Sequence, residues 1–212
     1  MQGAAIVAAD LTLDGPEGPV VRGVSVDAAP GALVAVAGPG GSGRTSVLLA
    51  LAGRMRPAAG RVSVGGRALP GEAAAVRALV GVARIGGAVE LEDAWRVDEA
   101  LALRGLLRGS AVGPGEAQAA LERAGVAPPP EARIGDLHPR DRTLLELALA
   151  TLEAPAALVL DDADRGLDRA AEEEVWAALR RVAATGTTVV ASTADAAPAI
   201  APDARADHVV RL

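Results

Sequence analysis

A glycine-rich segment around residue 40 carries the residue types that bind a chain of phosphates. It follows the apolar run 32–37 and precedes the helix-like run 47–52, and its members are Gly38, Pro39, Gly40, Gly41, Ser42, Gly43, Arg44, Thr45 and Ser46. Glycines let consecutive backbone N–H groups turn toward one phosphate chain, and the start of the following helix adds a positive dipole end. Strand, loop and helix in this order are the context of a P-loop, in which Thr45 would coordinate Mg²⁺. We therefore predict that these residues bind a nucleotide.

Arg44 stands where the P-loop pattern has a lysine. The guanidinium keeps the positive charge, but it is planar and bulkier than an ammonium among phosphate oxygens. The chain contains no lysine at any position. A general replacement of lysine by arginine therefore explains Arg44 as well as a loss of phosphate binding does, and both interpretations stay open.

Two adjacent carboxylates end a second apolar run. Leu158, Val159 and Leu160 are typical of a fully buried parallel strand, and Asp161 and Asp162 follow them. The first acid at the end of such a strand can hold Mg²⁺ through a water, and the second can polarise an attacking water. We predict Asp161 as a metal ligand and Asp162 as the catalytic residue. The alternative is that both acids are a solvated strand end.

The composition excludes other kinds of chemistry. The 212 residues include no cysteine, two histidines and two tryptophans, and neither phenylalanine nor tyrosine. Disulfides, thiolate catalysis and cysteine- or histidine-rich metal sites are therefore excluded. A formal net charge of −6 argues against nucleic acid as a partner. Residues 1–10 lack the features of a signal peptide, and no apolar run approaches the ~18 residues that span a bilayer.

Apolar periodicity predicts the elements that would position the two motifs. Outer strands are expected at 6–8, 11–13, 20–21, 24–26 and 61–67, with a turn at 14–19. Buried strands are expected at 32–37, 79–83 and 157–160, followed by strands at 187–191 and 208–212. Helices are expected from the P-loop to about residue 56 and at 72–78, 97–107, 115–124, 141–153 and 170–184.

The order of the motifs resembles that of the ATP-binding subunit of ABC transporters over nearly the whole chain. Residues 163–168 read Ala-Asp-Arg-Gly-Leu-Asp, where this family has Pro-Thr-x-Gly-Leu-Asp after its Asp-Glu pair. Residues 95–101 are similar to the family's Leu-Thr-Val-x-Glu-Asn-Leu. The two nucleotide motifs together are fairly specific, and the Gly-Leu-Asp sequence narrows the class further.

The resemblance implies one ABC-type ATP-binding domain over residues 1–212. Its expected fold is the α/β P-loop NTPase three-layer sandwich with a mainly parallel sheet. A small antiparallel β part should come from the N-terminus and residues 61–69, and a helical subdomain should lie at about 86–150. The implied cofactors are ATP and Mg²⁺. The implied partners are a membrane-spanning permease and a second ATP-binding subunit, as homodimer or heterodimer, which would make the chain cytoplasmic and peripheral on the inner face of the cell membrane.

The chain departs from the family's pattern in other motifs. Ile85 occupies the place of the glutamine loop, Ala194 that of the switch histidine, and Asp162 that of a glutamate. Residues 137–141 read Leu-His-Pro-Arg-Asp in place of the signature Leu-Ser-Gly-Gly-Gln. The proline has no N–H to offer a phosphate. No aromatic residue lies near residues 13–15, where the family stacks one on adenine.

These departures leave three functions open. The chain is a working ATPase, a degenerate subunit that binds nucleotide or only its partner, or a different P-loop enzyme such as a small-molecule kinase. The Asp162 carboxylate would lie about 1.5 Å farther back than that of a glutamate, and ~1 Å of misplacement can cost ~100-fold in rate. We therefore expect Mg-ATP binding with weak or absent hydrolysis. The scattered Arg104, Arg108 and Arg123 do not form the basic lid of a kinase.

Overall fold

The computed structural model describes residues 3–16 and 18–212; Met1, Gln2 and Glu17 lie outside the described residues, as do the parts of the 1–10 and 14–19 predictions that rest on them. The strands are β1 (Ile6–Gly15), β2 (Gly18–Ala28), β3 (Leu33–Ala37), β4 (Ala59–Val64), β5 (Arg67–Leu69), β6 (Val80–Arg84), β7 (Ala157–Leu160), β8 (Thr188–Thr193) and β9 (His208–Arg211). The helices are α1 (Arg44–Leu51), α2 (Ala73–Leu79), α3 (Val97–Arg108), α4 (Pro114–Ala124), α5 (Pro139–Thr151) and α6 (Arg169–Ala184).

The central layer is a five-stranded parallel sheet in the order β6-β7-β8-β3-β9. Every position of β3, β7 and β8 is buried, as expected for a parallel sheet that is covered on both faces. Val189 pairs with both Leu33 and Leu158, so the carboxyl ends of these three strands meet at one edge. β8 therefore separates the strand before the P-loop from the strand before the two acids.

A smaller antiparallel sheet has the order β2-β1-β4-β5, which confirms the predicted antiparallel part. β1 buries Ile6, Leu11 and Leu13 completely. These side chains share one apolar cluster with Leu48 and Leu51 of α1. The helix that follows the P-loop is thus packed between the two sheets, and its start is held in a fixed position.

The other face of the parallel sheet is covered by α5 and α6. α5 buries a broad apolar face, and Trp176 of α6 is fully buried in the same cluster. α3 and α4 contact α5 from outside. α3 and α4 fall within residues 86–150, for which a helical subdomain was predicted, and that subdomain stays a prediction. Among the described residues, each helix is too short or too polar to cross a lipid bilayer.

Several element boundaries differ from the predictions: β1 and β2 each join two predicted strands, and α5 begins at Pro139 rather than at residue 141. β1 is continuous because its register with β2 shifts between Ala8 and Leu11, where the bulge accommodates one extra residue of β1. α1 ends at Leu51 rather than near residue 56. Gly53 has a φ of 67° and lies just beyond the helix, where a left-handed residue commonly stops it.

The start of α6 provides a test of the fold's local energetics. The carboxylate of Asp168, the N-cap residue, accepts a hydrogen bond from the Ala171 N–H at 2.9 Å. We expect Asp168→Ala to lower the free energy of unfolding by about 1 kcal/mol, because that amide loses its acceptor. The control Asp203→Ala removes an exposed acid from a turn and should change it by less than ~0.5 kcal/mol. Urea denaturation measures both, and equal effects would contradict the capping role.

Candidate functional site

The P-loop joins β3 to α1. Its backbone is crowded at residue 43 and open to solvent at residues 40–41. Gly41 and Gly43 have φ values of 79° and 94°, which residues other than glycine rarely adopt. A Cβ on Gly43 would lie 2.3 Å from a methyl of Val21, so β2 packs directly against the loop there. A Cβ on Gly40 or Gly41 would meet nothing within 4 Å. The face at residues 40–41 is therefore free to receive a ligand.

The N-terminus of α1 presents polar groups beside that open face. Its N-cap is Gly43, which has no side chain to bind the first-turn N–H groups, and these lack acceptors within the helix. The buried Oγ of Ser42 has no hydrogen-bond partner among the described residues. A cleft of about 230 Å³ is lined by this loop and by Val20 and Pro39. It is smaller than the ~300–1,000 Å³ of pockets for whole ligands, and it suits phosphates better than a purine base.

Thr45 and Asp161 meet at the edge of this cleft. The Thr45 hydroxyl donates a hydrogen bond to Asp161 Oδ2 at 2.7 Å, and Asp161 is 1% exposed. Both groups offer the hard oxygen atoms that Mg²⁺ prefers, and this ion usually takes one or two protein ligands and completes its shell with phosphates and water. No cluster of three acidic or histidine ligands occurs among the described residues. The pair fits a metal that arrives with a nucleotide.

Arg44 and Asp162 form an ion pair across the site. Arg44 Nη2 lies 2.6 Å from Asp162 Oδ1, and Arg44 Nη1 donates to the carbonyl oxygen of Gly38 in the same loop. The side chains are 12% and 37% exposed, respectively. The residue in the lysine position is therefore bound to the residue predicted to be catalytic. A phosphate chain would have to compete with the Asp162 carboxylate for this guanidinium.

Ser192 of β8 contacts both acids, and the sequence analysis assigned it no role. Its hydroxyl donates to Asp161 Oδ1 at 2.5 Å and accepts from the Asp162 N–H at 2.7 Å. Because β8 lies between β3 and β7, this small polar side chain fills the space between the P-loop strand and the acids. A hydroxyl next to the buried apolar run 189–191 was the signal that could have revealed it.

Arg84, at the end of β6, is a second residue without a predicted role. It is 4% exposed, and it donates hydrogen bonds to the carbonyl oxygens of Asp161 and Asp162 and to Glu146 of α5. Burial raises the pKa of the Glu146 carboxyl above its ordinary value, while the charges of Arg84 and Arg142 act in the opposite direction. The available signals in the sequence were an arginine at the end of a predicted buried strand and a glutamate among the leucines of a predicted helix. That the two side chains form a pair is seen only in the structure.

The positions of the glutamine loop and the switch histidine offer no reactive side chain. Ile85 is fully buried, and its backbone bridges to Val89. Ala194 is exposed, and its N–H donates to Asp164 Oδ2 at 2.6 Å. The same carboxylate oxygen accepts from the Thr193 hydroxyl at 3.0 Å. Asp164 thus holds the end of β8 against the segment that follows β7.

The segment at the signature position begins α5. His138 is its N-cap, and its Nδ1 accepts from the Arg140 N–H at 3.3 Å. The Arg140 guanidinium forms ion pairs with Asp141 and Glu174. Burial would lower the pKa of Arg140, but its hydrogen bonds to Glu174 and Asp141 raise it on balance. The positive charge of Arg140 is thus already neutralised within the chain.

The P-loop provides a prediction about the need for glycine at position 43. Gly43→Ala should lower the free energy of unfolding by about 1–3 kcal/mol, because a left-handed φ is strained for alanine and its methyl meets Val21. Gly40→Ala is the matched control, since its methyl meets nothing within 4 Å, and it should stay within ~0.5 kcal/mol of the parent. Thermal or urea unfolding tests the difference. A Gly43→Ala protein as stable as Gly40→Ala would contradict this packing.

Comparisons with known proteins agree with this geometry. A family model described as "ABC transporter" matches residues 21–165. The Nod factor export ATP-binding protein I of Paraburkholderia xenovorans is 32% identical over 176 residues, which are 82% of this chain and 57% of that protein. The daunorubicin resistance ATP-binding protein DrrA3 of Streptomyces coeruleorubidus is 31% identical over 190 residues, which are 86% of this chain and 60% of that protein. The chain thus spans less than two thirds of the length of these relatives.

Solved structures support the same fold. An ATP-binding cassette of an ABC transporter in its ADP conformation superposes with a TM-score of 0.81 at 16% identity, over 99% of this chain and 87% of that one. A dimeric bacterial ABC transporter cassette gives 0.78 at 19% identity, over 98% and 94%. The sequence match extends from β2 through the P-loop to the acids after β7. The chain belongs to the ATP-binding proteins of the ABC transporter family.

Proposed function

We propose that this chain is the ATP-binding subunit of an ABC-type transporter, that it binds Mg-ATP at the P-loop, and that it hydrolyses ATP weakly or not at all. The observation that carries the binding proposal is the 2.7 Å contact between the Thr45 hydroxyl and Asp161, next to an uncapped helix N-terminus. Backbone N–H groups at such a terminus attract phosphate oxygens. Bound Mg²⁺ would supply a Lewis acid that neutralises phosphate charge.

Each residue of the site has a distinct task in this proposal. The amides of residues 41–45 hold the phosphates, and the open face at 40–41 admits them. Thr45 and Asp161 present oxygens to the metal, and Ser192 keeps the Asp161 carboxylate in place. Val20, which is exposed beside the cleft, offers an apolar surface to the rest of the nucleotide.

Weak hydrolysis follows from the engagement of Asp162. A general base must accept a proton from the attacking water, and it must lie within hydrogen-bond reach of that water. Asp162 instead accepts from Arg44 at 2.6 Å, so its carboxylate is directed at the guanidinium and not at the place of an attacking water. Ile85 and Ala194 add no polar side chain that could orient the water.

A scaffold or regulatory subunit is the second candidate, and the Arg44–Asp162 pair favours it. If the guanidinium stays on Asp162 and Gly38, the loop loses the mobile cation that a phosphate chain needs. In that case the chain would bind its partners without nucleotide. The two candidates differ in one measurable property, which is the affinity for Mg-ATP.

The partners follow from the family. We propose a membrane-spanning permease and a second ATP-binding subunit, identical or different, with the chain in the cytoplasm on the inner face of the membrane. The relatives named for Nod factor export and daunorubicin resistance support a transporter context.

The proposal predicts Mg-dependent ATP binding that requires Asp161. Calorimetry should detect Mg-ATP binding by the parent chain, and Asp161→Asn should weaken it by about tenfold or more because one metal oxygen loses its charge. The same variant should change Mg-free ATP affinity much less. Turnover should stay below ~1 s⁻¹, the lower end of ordinary enzymes.

Asp203→Asn is the control for net charge, since it removes an equally charged but exposed acid outside the site. No binding by the parent at ~1 mM Mg-ATP, the upper end of ordinary KM values, would reject the binding proposal. Turnover above ~1 s⁻¹ would reject the weak-hydrolysis part alone.

A second prediction concerns the competition for Arg44. Asp162→Asn should tighten ATP binding by about two- to fivefold, because removing a partly exposed ion pair of up to ~1 kcal/mol frees the guanidinium for phosphate. Asp203→Asn again corrects for the change in net charge. Titration with a fluorescent ATP analogue measures both variants. Weaker binding by Asp162→Asn would mean that Asp162 supports the nucleotide instead of competing with it.

A further inference from the structure

We propose that Arg84 is a positioning residue that fixes the backbone of Asp161 and Asp162 and ties it to α5. No nucleotide contact is assigned to Arg84 itself. Arg84 contacts the backbone carbonyl oxygen of Asp161, whereas the P-loop residue Thr45 contacts its carboxylate. Its effect on metal binding rests on the proposed function, whereas its effect on the backbone can be measured without nucleotide.

The guanidinium of Arg84 uses all of its nitrogens. Nε and Nη2 donate to the Asp161 carbonyl oxygen at 3.1 and 3.0 Å, and Nη2 also donates to the Asp162 carbonyl oxygen. Nη1 donates to the Thr143 hydroxyl at 3.0 Å and to Glu146 Oε2 at 2.9 Å. The rigid fork thus joins two consecutive carbonyl groups to one helix, and a lysine could not make both connections at once.

One of the two residues whose carbonyl groups Arg84 contacts, Asp162, has a strained backbone. Asp162 has a φ of 47°, a left-handed conformation that is costly for a residue other than glycine. Such a residue persists only where its surroundings determine it fully. Arg84 holds the Asp162 carbonyl oxygen, and Ser192 accepts from the Asp162 N–H. Both ends of the residue are therefore fixed, and its side chain is directed toward Arg44.

Stability alone does not explain the buried pair. Arg84 and Glu146 have side chains that are 5% and 0% exposed. Removing two charges from water costs several kcal/mol for each ion, and apolar replacements of such pairs are often neutral or stabilising. A pair that is costly to bury and aimed at the backbone of the two acids is better explained by positioning.

The same network extends to the start of α5. Glu146 Oε1 lies 3.5 Å from Arg142 Nε, and Arg142 Nη2 donates to the Leu91 carbonyl oxygen at 2.6 Å. α5 begins at Pro139, in the segment at the signature position. A shift of α5 therefore pulls on the carbonyl groups of the two acids through Arg84.

The first test compares Arg84→Lys with Arg104→Lys. Arg104 of α3 forms a partly exposed ion pair with Glu153, which follows α5. The control therefore makes the same chemical change outside the site. In the nucleotide-free chain, hydrogen exchange of residues 161–163 should accelerate by about tenfold or more in Arg84→Lys only, while β3 keeps its protection. With nucleotide, Mg-ATP affinity should fall about tenfold, and Mg-free ATP affinity should change less than about twofold.

The second variant keeps the proposal testable if Arg84→Lys fails to fold. Arg84→Met combined with Glu146→Leu replaces the pair by apolar side chains and should fold with a thermal midpoint close to that of the parent. It should still lose the exchange protection at 161–163. Parental exchange at 161–163 in either variant, or acceleration spread evenly over the chain, overturns the positioning role. If the parent fails to bind Mg-ATP, the proposed function fails, and the exchange data still decide the role of Arg84.

Discussion

The hydrogen bond between Thr45 and Asp161 is the interaction on which the site depends. It joins the first turn of α1 to the end of β7, although β3 and β7 are not neighbours in the sheet. β8 lies between them, and strands ~4.8 Å apart place β3 and β7 about 10 Å from each other. Ser192 fills that space and bonds to the same carboxylate. The order of the strands therefore favours a small hydrogen-bonding residue at position 192, because a large apolar side chain could not donate a hydrogen bond to Asp161.

Arg84 and Arg44 place the same type of side chain in two different environments within this site. The guanidinium of Arg84 is saturated by carbonyl groups, a hydroxyl and a carboxylate, and it is buried. That of Arg44 bonds to Gly38 and Asp162 alone among the described residues, and it lies at the edge of an open cleft. Arginine prefers planar partners with two acceptors, and it loses little entropy when its fork is filled. We therefore expect the first to stay fixed and the second to exchange its carboxylate for phosphate oxygens.

Much of the fold was predictable because its signals are local. The glycine spacing at 38–43, the buried run before Asp161 and the apolar periodicity of residues 170–184 each predict a short piece of structure, and the resemblance orders those pieces. The residues that support the site were not predictable in the same way. Arg84 meets Glu146 across 62 positions of the chain, and Ser192 meets Asp161 across 31. Such contacts depend on strand order and on the face of α5, which periodicity alone does not give. The early end of α1 was missed because one glycine outweighed the apolar pattern.

Under the proposed function, the residues that bind the nucleotide are present, whereas the two positions expected to sense its phosphates carry apolar side chains. The P-loop and Thr45 line the cleft, and the Thr45 hydroxyl contacts the Asp161 carboxylate. Ile85 is buried and Ala194 carries only a methyl group, so neither side chain can form a hydrogen bond to a phosphate. One route from the acids into the helical layer runs through Arg84 to Glu146 of α5. Under the proposed function, nucleotide occupancy would bias the position of α5 through this route without cleavage of the nucleotide, provided that the nucleotide binds one position of α5 more tightly than another.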